Sequence, residues 1–263
     1  MGIFDAAFDP DRDTALVTGA GNGIGRAIAQ ALVGEGVRTV FADIAEEKVQ
    51  AAIASSPRPD LGMSWTGDLA VRANRDSLLA YSRATLGRPI THFVHSASPP
   101  RREQDHALSV TEATWDEMRG VNVDAGFHLS RELALDLIKS RQPGSFLILT
   151  SLHAATPRNL PHYSTSKAAL SILVKELAKS FGQFGIRVNA LVPGAIAAGG
   201  FVADEALVRH IPLGRLGEGH DLAPMALAIL SSKVSPYATG AAFVVDGGLS
   251  LTNWFEPPAL DVL

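Results

Sequence analysis

Short apolar runs rich in β-branched residues alternate along this chain with longer segments of helical period. The first run is residues 14–19, TALVTG, and residues 23–36 behind it set Ile24, Ile28, Ala31 and Leu32 on one helical face. A second run, 37–43, precedes a helix from about Glu46 to Ala54. A weaker third run at 64–68 precedes helical spacing over 72–86, and a fourth covers 90–97. A long helical stretch, about 114–140, leads to a fifth run at 144–151. Another helix, about 161–182, is closed by Gly182 and Gly185, and runs follow at 186–194, with a proline stop, and at 241–248. Runs that are apolar throughout suit strands covered on both faces, and their alternation with helices predicts βαβ units. The expected fold is therefore α/β, a doubly wound parallel sheet of about seven strands with helices on both faces.

No Gly/Pro/Ser-rich linker divides the chain and no fixed-period repeat is seen, so 1–263 reads as a single domain with a core of about 12–250 and a tail, 251–263. At 46% hydrophobic and 19% charged residues, the chain has the means for a large core. A formal charge of −4 and the lack of a basic run give no reason to expect nucleic acid or an anionic membrane as partner. Cysteine is absent, which removes disulfides, thiolate metal sites and a cysteine nucleophile; no metal is expected. The first residues are acidic early and lack a basic-then-apolar layout, Ala6 stands where a myristoylation signal needs Ser or Thr, and no apolar run spans a bilayer. A soluble, cytoplasmic protein is the expectation.

The junction after the first run reads TGAGNGIG, 18–25. Gly19, Gly23 and Gly25 allow a tight turn, close approach of a ligand and packing of helix on sheet. A helix N-terminus placed there offers N–H groups and a positive dipole end to a pyrophosphate. Asp43 closes the second run, 18 positions after Gly25, where a carboxylate accepts hydrogen bonds from a ribose 2′-hydroxyl. The same charge repels a 2′-phosphate, and Ile44 offers no cation to receive one, which points to NAD rather than NADP.

Within the helix at 161–182, Tyr163 and Lys167 are one turn apart and share a face. A lysine charge held near a phenol favours the phenolate and lowers its pKa from about 10. Oxidation of a carbinol needs a base within hydrogen-bond reach of its hydroxyl.

T-G-x-x-x-G-x-G followed by Tyr163-x-x-x-Lys167, at this separation, resembles the short-chain dehydrogenase/reductase family over about 12–250. The resemblance implies a Rossmann-type fold and a tetrad of Asn122, Ser151, Tyr163 and Lys167. In it the tyrosine is general acid/base, the serine binds the substrate oxygen, and the lysine tunes the tyrosine and holds the nicotinamide ribose. The asparagine holds a water of the proton relay. The implied NAD site includes Gly19, Asn22, Gly23, Ile24 and Gly25 from the glycine loop, with Asp43. Asp68 and Leu69 are expected near the adenine, and Ala97, Pro193, Gly194 and Ile196 along the cofactor with Tyr163 and Lys167. Two departures stand out. HSAS, His95–Ser98, replaces the family's N-N-A-G and is followed by Pro99 and Pro100, and Ala198 stands where a threonine is common. His95 reads as a histidine supporting the sheet rather than a catalytic one.

The resemblance gives a reaction, interconversion of a secondary alcohol and a ketone, and leaves the small-molecule substrate open. Polar residues expected to face it, His153, Asn159 and His162 with Ser151 and Tyr163, lean toward a sugar or polyol. A 3-oxoacyl thioester reductase is the alternative, disfavoured by Asp43 and the lack of a basic docking patch; a non-catalytic nucleotide sensor is the other. Residues 195–210 read as either a lid or a surface loop. Relatives commonly form tetramers through the two long helices, and Leu129, Leu133, Leu137, Leu173 and Leu177 are read as an outward interface, with Trp254 and Phe255 of the tail as a further contact patch. A homotetramer is therefore expected.

Overall fold

Seven apolar runs pair side by side into one parallel sheet in the order β3-β2-β1-β4-β5-β6-β7. The computed structural model describes residues 7–102, 104–197 and 205–251. The strands are β1 (Thr14–Thr18), β2 (Arg38–Asp43), β3 (Gly62–Thr66), β4 (His92–His95), β5 (Gly144–Leu149), β6 (Ile186–Pro193) and β7 (Ala242–Val245). β3 lies two residues earlier than its run suggested, which leaves Asp68 in the following loop, and β4 is only four residues long. Its pairing with β1 ends at Thr18 opposite His95, where the chain turns off the sheet.

Both faces are covered, as a parallel sheet requires. On one side α1 (Gly23–Gly34), α2 (Glu46–Ala54) and α8 (Gly219–Leu230) bury Ile28, Leu32, Val49, Leu222 and Ile229. On the other, α3 (Arg72–Leu86), α5 (Ala125–Ser140) and α6 (Pro161–Phe181) bury Leu78, Leu129, Leu133, Leu170 and Val174. Each such fully buried side chain contributes about 1.5–3 kcal/mol. Leu129, Leu133 and Leu137 are thus core residues, Leu177 is buried, and Leu173 packs against the core. The expected outward leucine face does not exist, because their spacing marks the stripe that an amphipathic helix turns inward. The apolar residues these two helices do expose are Phe127, Leu135 and Ile172.

The long helix near 114–140 begins as α4 (Glu112–Arg119) and passes through a π turn, Gly120–Asp124, before α5. There the Ala125 N–H donates to the Gly120 carbonyl, five residues back. Such single π turns are rare and recur at functional sites. α7 (Glu205–Arg209) is the described end of the region read as a lid. Ala198, the tail beyond Leu251, and with it Trp254 and Phe255, lie outside the described residues.

Candidate active site

The strand order places the turning point of the sheet between β1 and β4, the place where open α/β sheets bind ligands at their C-terminal edge. β1 ends there in the glycine loop. Asn22 caps α1, its side-chain oxygen accepting the Gly23 N–H at 2.8 Å. Gly25 is pressed against the Gly19 carbonyl so closely that no Cβ fits. Ile24 packs against the core from the same turn. Asp43 reaches the loop from the end of β2, its carboxylate accepting the Gly21 N–H at 3.0 Å and the Ala45 N–H at 3.1 Å. Ile44 beside it is 67% exposed. A glycine loop with no room for side chains, at a helix N-terminus with a carboxylate beside it, fits a dinucleotide.

Other residues read along the cofactor lie at or just past the ends of β3 and β6. Asp68 closes the loop after β3 by accepting the Ala70 N–H at 2.8 Å, and Leu69 next to it is buried. Pro193 ends β6, the Gly194 N–H donates to the Val245 carbonyl at 3.1 Å, and Ile196 bridges to Gly217.

Tyr163 and Lys167 are both buried on α6, at 7% and 4% exposure. Lys167 Nζ donates to the Leu149 carbonyl at the end of β5, at 2.9 Å, and lies 5.7 Å from the Tyr163 ring centre. Ser151, two residues past β5, accepts the His153 N–H at 3.2 Å, and its hydroxyl is among the groups that act on Tyr163. Burial pushes the Tyr163 pKa up, but Lys167, Arg101, the Ser151 hydroxyl and Arg158 outweigh it, and the net value is lowered. Burial lowers the Lys167 pKa, partly opposed by Tyr163. A phenol poised toward its anion, beside a hydroxyl that can hold a substrate oxygen, is arranged for proton exchange.

Asn122 sits in the π turn. Its side-chain amide donates to Ser166 Oγ at 2.8 Å and faces the Met118 sulfur at 3.2 Å. Its backbone carbonyl meets His95 Nε2 at 3.0 Å. The other ring nitrogen, Nδ1, is 2.9 Å from Thr18 Oγ1. Thr18 Oγ1 already accepts the Ser96 and Ala97 N–H groups at 3.2 and 3.3 Å, and its hydroxyl proton has Nδ1 much nearer than the Val94 carbonyl at 3.5 Å. That fixes a neutral His95 with the proton on Nε2, donated to Asn122. Burial, then the Lys167 charge, hold the His95 pKa down at about 4. Gly126 makes room for this ring, since a Cβ there would come within 3.1 Å of its Cδ2. His95 thus ties Thr18 at the start of the glycine loop to the π turn that carries Asn122, a link that the sequence does not display.

The residues expected to face the substrate divide. The His153 ring stands edge-on to Tyr163 with centres 6.4 Å apart. Asn159 is exposed on the adjacent loop with φ of 60°, a left-handed conformation asparagine tolerates. His162 is not at the mouth: it is 1% exposed and neither ring nitrogen has a hydrogen-bond partner among the described residues. Sequence reasoning missed Arg101, whose guanidinium centre lies 4.8 Å from the Tyr163 ring centre. Only the change from N-N-A-G to HSAS-Pro-Pro hinted that this segment runs differently.

Comparison with known proteins agrees in kind. A family model described as enoyl-(acyl carrier protein) reductase matches residues 19–250. The chain is 31% identical over 249 residues to (3R)-3-hydroxyacyl-CoA dehydrogenase of Mus musculus, covering 89% of this chain and 95% of that one. It is 30% identical over 260 residues to galactitol 2-dehydrogenase (L-tagatose-forming) of Cereibacter sphaeroides, covering 94% and 99%. The solved 3-ketoacyl-(acyl-carrier-protein) reductase of Brucella melitensis, complexed with NADH, superposes with a TM-score of 0.84 at 28% identity, covering 90% of this chain and 98% of that one. Among the described residues no helix is long and apolar enough to cross a membrane.

Proposed function

The chain belongs to the short-chain dehydrogenase/reductase family, and from that premise we propose that it is an NAD-linked dehydrogenase interconverting a secondary alcohol and a ketone, with Tyr163 as the proton-exchanging group. The observation that carries this reading is the buried Tyr163 with the buried Lys167 ammonium 5.7 Å from its ring centre, a charge that works to lower the phenol's pKa. A bound nicotinamide dinucleotide supplies the acceptor, or donor, of a hydride with its electron pair. Gly19, Gly23, Gly25 and Asp43 would hold its adenosine and pyrophosphate part, and Lys167 its nicotinamide ribose. In the oxidative direction Ser151 holds the substrate hydroxyl, and its proton passes to the Tyr163 oxygen as the carbinol carbon loses hydride. The Lys167 ammonium, buried and fixed to the Leu149 carbonyl, stabilises the phenolate throughout without needing to move. Asn122, held by His95 and Ser166, keeps the π turn and its carbonyl beside this pair.

Asp43 supports NAD over NADP, since its carboxylate lies beside the glycine loop and Ile44 brings no positive charge. The NADH bound in the Brucella relative is in keeping with this. Relatives acting on a polyol and on hydroxyacyl thioesters leave both substrate classes in play. Phe127, Leu135 and Ile172, exposed on α5 and α6, are the surface on which a homotetramer would build.

Oxidation rates with NAD and with NADP, over polyols, sugars, hydroxy acids and aliphatic secondary alcohols, test the reading. We expect turnover with a strong preference for NAD, and a shift toward NADP when Asp43→Ser and Ile44→Arg are combined. A wild-type preference for NADP overturns the cofactor assignment, and silence across the whole panel favours a nucleotide-sensing protein.

A further inference from the structure

We propose that Arg101 is the anion-binding residue of this site and that the substrate is a short hydroxy or oxo acid, its acidic group a few carbons from the reacting one; the inference rests on the dehydrogenase reading above. Pro99 and Pro100 each fix their own backbone φ, and each biases the residue before it toward extended backbone. The chain therefore leaves β4 as a stiff lead, and it delivers Arg101 over the face of Tyr163, 4.8 Å from the ring centre. A cation against an aromatic face satisfies its charge only in part and spends no N–H donor on a carboxylate.

Other arginines are either neutralised by a carboxylate or spend their N–H donors on backbone carbonyls, as Arg38, Arg75 and Arg187 do. Arg72, Arg83, Arg131 and Arg215 each lie within 3.4 Å of a carboxylate. Arg101 is exposed and has no carboxylate partner among the described residues. Among the described residues, the charges that act most on Tyr163 are Lys167, Arg101 and Arg158, all positive. The neighbouring polar residues, Ser151, His153 and Asn159, add no negative charge. A chain of net charge −4 thus concentrates cations around its reactive phenol. Lys167 is occupied by the Leu149 carbonyl, which leaves the guanidinium at the open side to meet an incoming ligand. Its planar fork of donors matches a carboxylate or a phosphate ester, and binding there sets an acidic substrate with its carbonyl or carbinol toward Tyr163 and Ser151.

The test compares matched ketones reduced with NADH: 3-oxobutanoate against 3-oxobutanamide, and hydroxyacetone phosphate against hydroxyacetone. We expect the wild type to prefer the charged member of at least one pair in kcat/KM by about ten- to hundredfold, the range for a charge-assisted hydrogen bond. The favoured pair identifies the acid as carboxylate or phosphate. Arg101→Gln should bring that ratio close to one, and Arg101→Lys should restore part of it. If the arginine only covers the tyrosine ring, its loss lowers both members of a pair alike, and the unchanged ratio overturns the proposal. Equal or better use of the neutral ketones by the wild type overturns it too, while leaving the dehydrogenase reading intact. If no ketone is reduced, that reading fails separately. Calorimetry of the same pairs on the protein, with and without NADH, then decides for the arginine: acid-selective binding lost in Arg101→Gln supports it, and equal or absent binding in both overturns it.

Discussion

The floor of the site and its mouth are built on opposite principles. On the floor, Thr18, His95, Lys167 and Ser166 are buried side chains joined by hydrogen bonds of 2.8–3.0 Å to one another, to Asn122 or to the sheet backbone. At the mouth, Arg101 and Asn159 are exposed and Arg158 is half-buried, on loops that flank α6. A buried polar network tolerates few alternatives, because each broken bond leaves a desolvated group without a partner. An exposed loop can change its charges at small cost to the fold. Under the proposed function the floor carries the reaction, and the mouth is where this chain can differ from relatives of different substrates.

The largest effect expected is at Tyr163, where floor and mouth meet. Tyr163→Phe should remove nearly all turnover while leaving NADH binding largely intact, because the hydroxyl does the chemistry and the ring does the packing. Lys167→Met should also impair turnover severely. Its residual activity should require higher pH, since the phenolate has lost its nearest positive charge. The basic limb of the pH profile of kcat/KM for oxidation is the measurement, and it should move upward in the lysine variant. Near-normal turnover in Tyr163→Phe would reduce the pair to a packing contact and remove the distinction between floor and mouth.

A smaller effect should come from His95 alone. The folded chain holds this ring neutral down to about pH 4, whereas the unfolded chain takes up the proton near the ordinary value of 6.5. Its contribution to stability is therefore complete above about pH 6.5 and is lost as pH falls toward 4. The gap between the two values corresponds to about 3 kcal/mol at its limit. Urea unfolding at a series of pH values should show this slope, and His95→Asn should make it shallower by roughly that amount. His92, also lowered to about 4 by burial, contributes equally to both proteins, so the difference between them reports His95. An unchanged slope would mean that the ring is not locked between Thr18 and Asn122.

Much of the floor was legible because its physics is local in sequence. Runs such as TALVT mark strands buried on both sides, and the fourfold spacing of Tyr163 and Lys167 follows from the helix that carries them. The π turn was not legible, since one extra residue in a helix leaves no mark in the pattern of apolar positions. The leucines of α5 were misread because a stripe at positions 129, 133 and 137 looks the same whether it meets a neighbour or the core. The contact of Arg101 with Tyr163 spans 62 positions of sequence and depends on where a loop crosses a helix, which no periodicity encodes.

Ser98 lies on the boundary between the two regions and should show the smallest effect. It replaces the glycine that relatives carry where the backbone passes the cofactor, so a steric cost would be the natural fear. Its side chain is exposed, however, and its hydroxyl is directed at the Met118 sulfur of α4, 3.9 Å away. A contact of that length to a thioether is weak, so little is lost when it is removed. Ser98→Gly should also relax the backbone ahead of Pro99 and Pro100, loosening the lead that delivers Arg101. Turnover should stay within about tenfold of the wild type, a barrier change of ~1.4 kcal/mol. What loss there is should fall more on acidic than on neutral ketones, because the floor is untouched while the arginine is held less firmly. A change far beyond tenfold, equal for both kinds of substrate, would assign Ser98 to the floor and give this residue a part in the reaction itself.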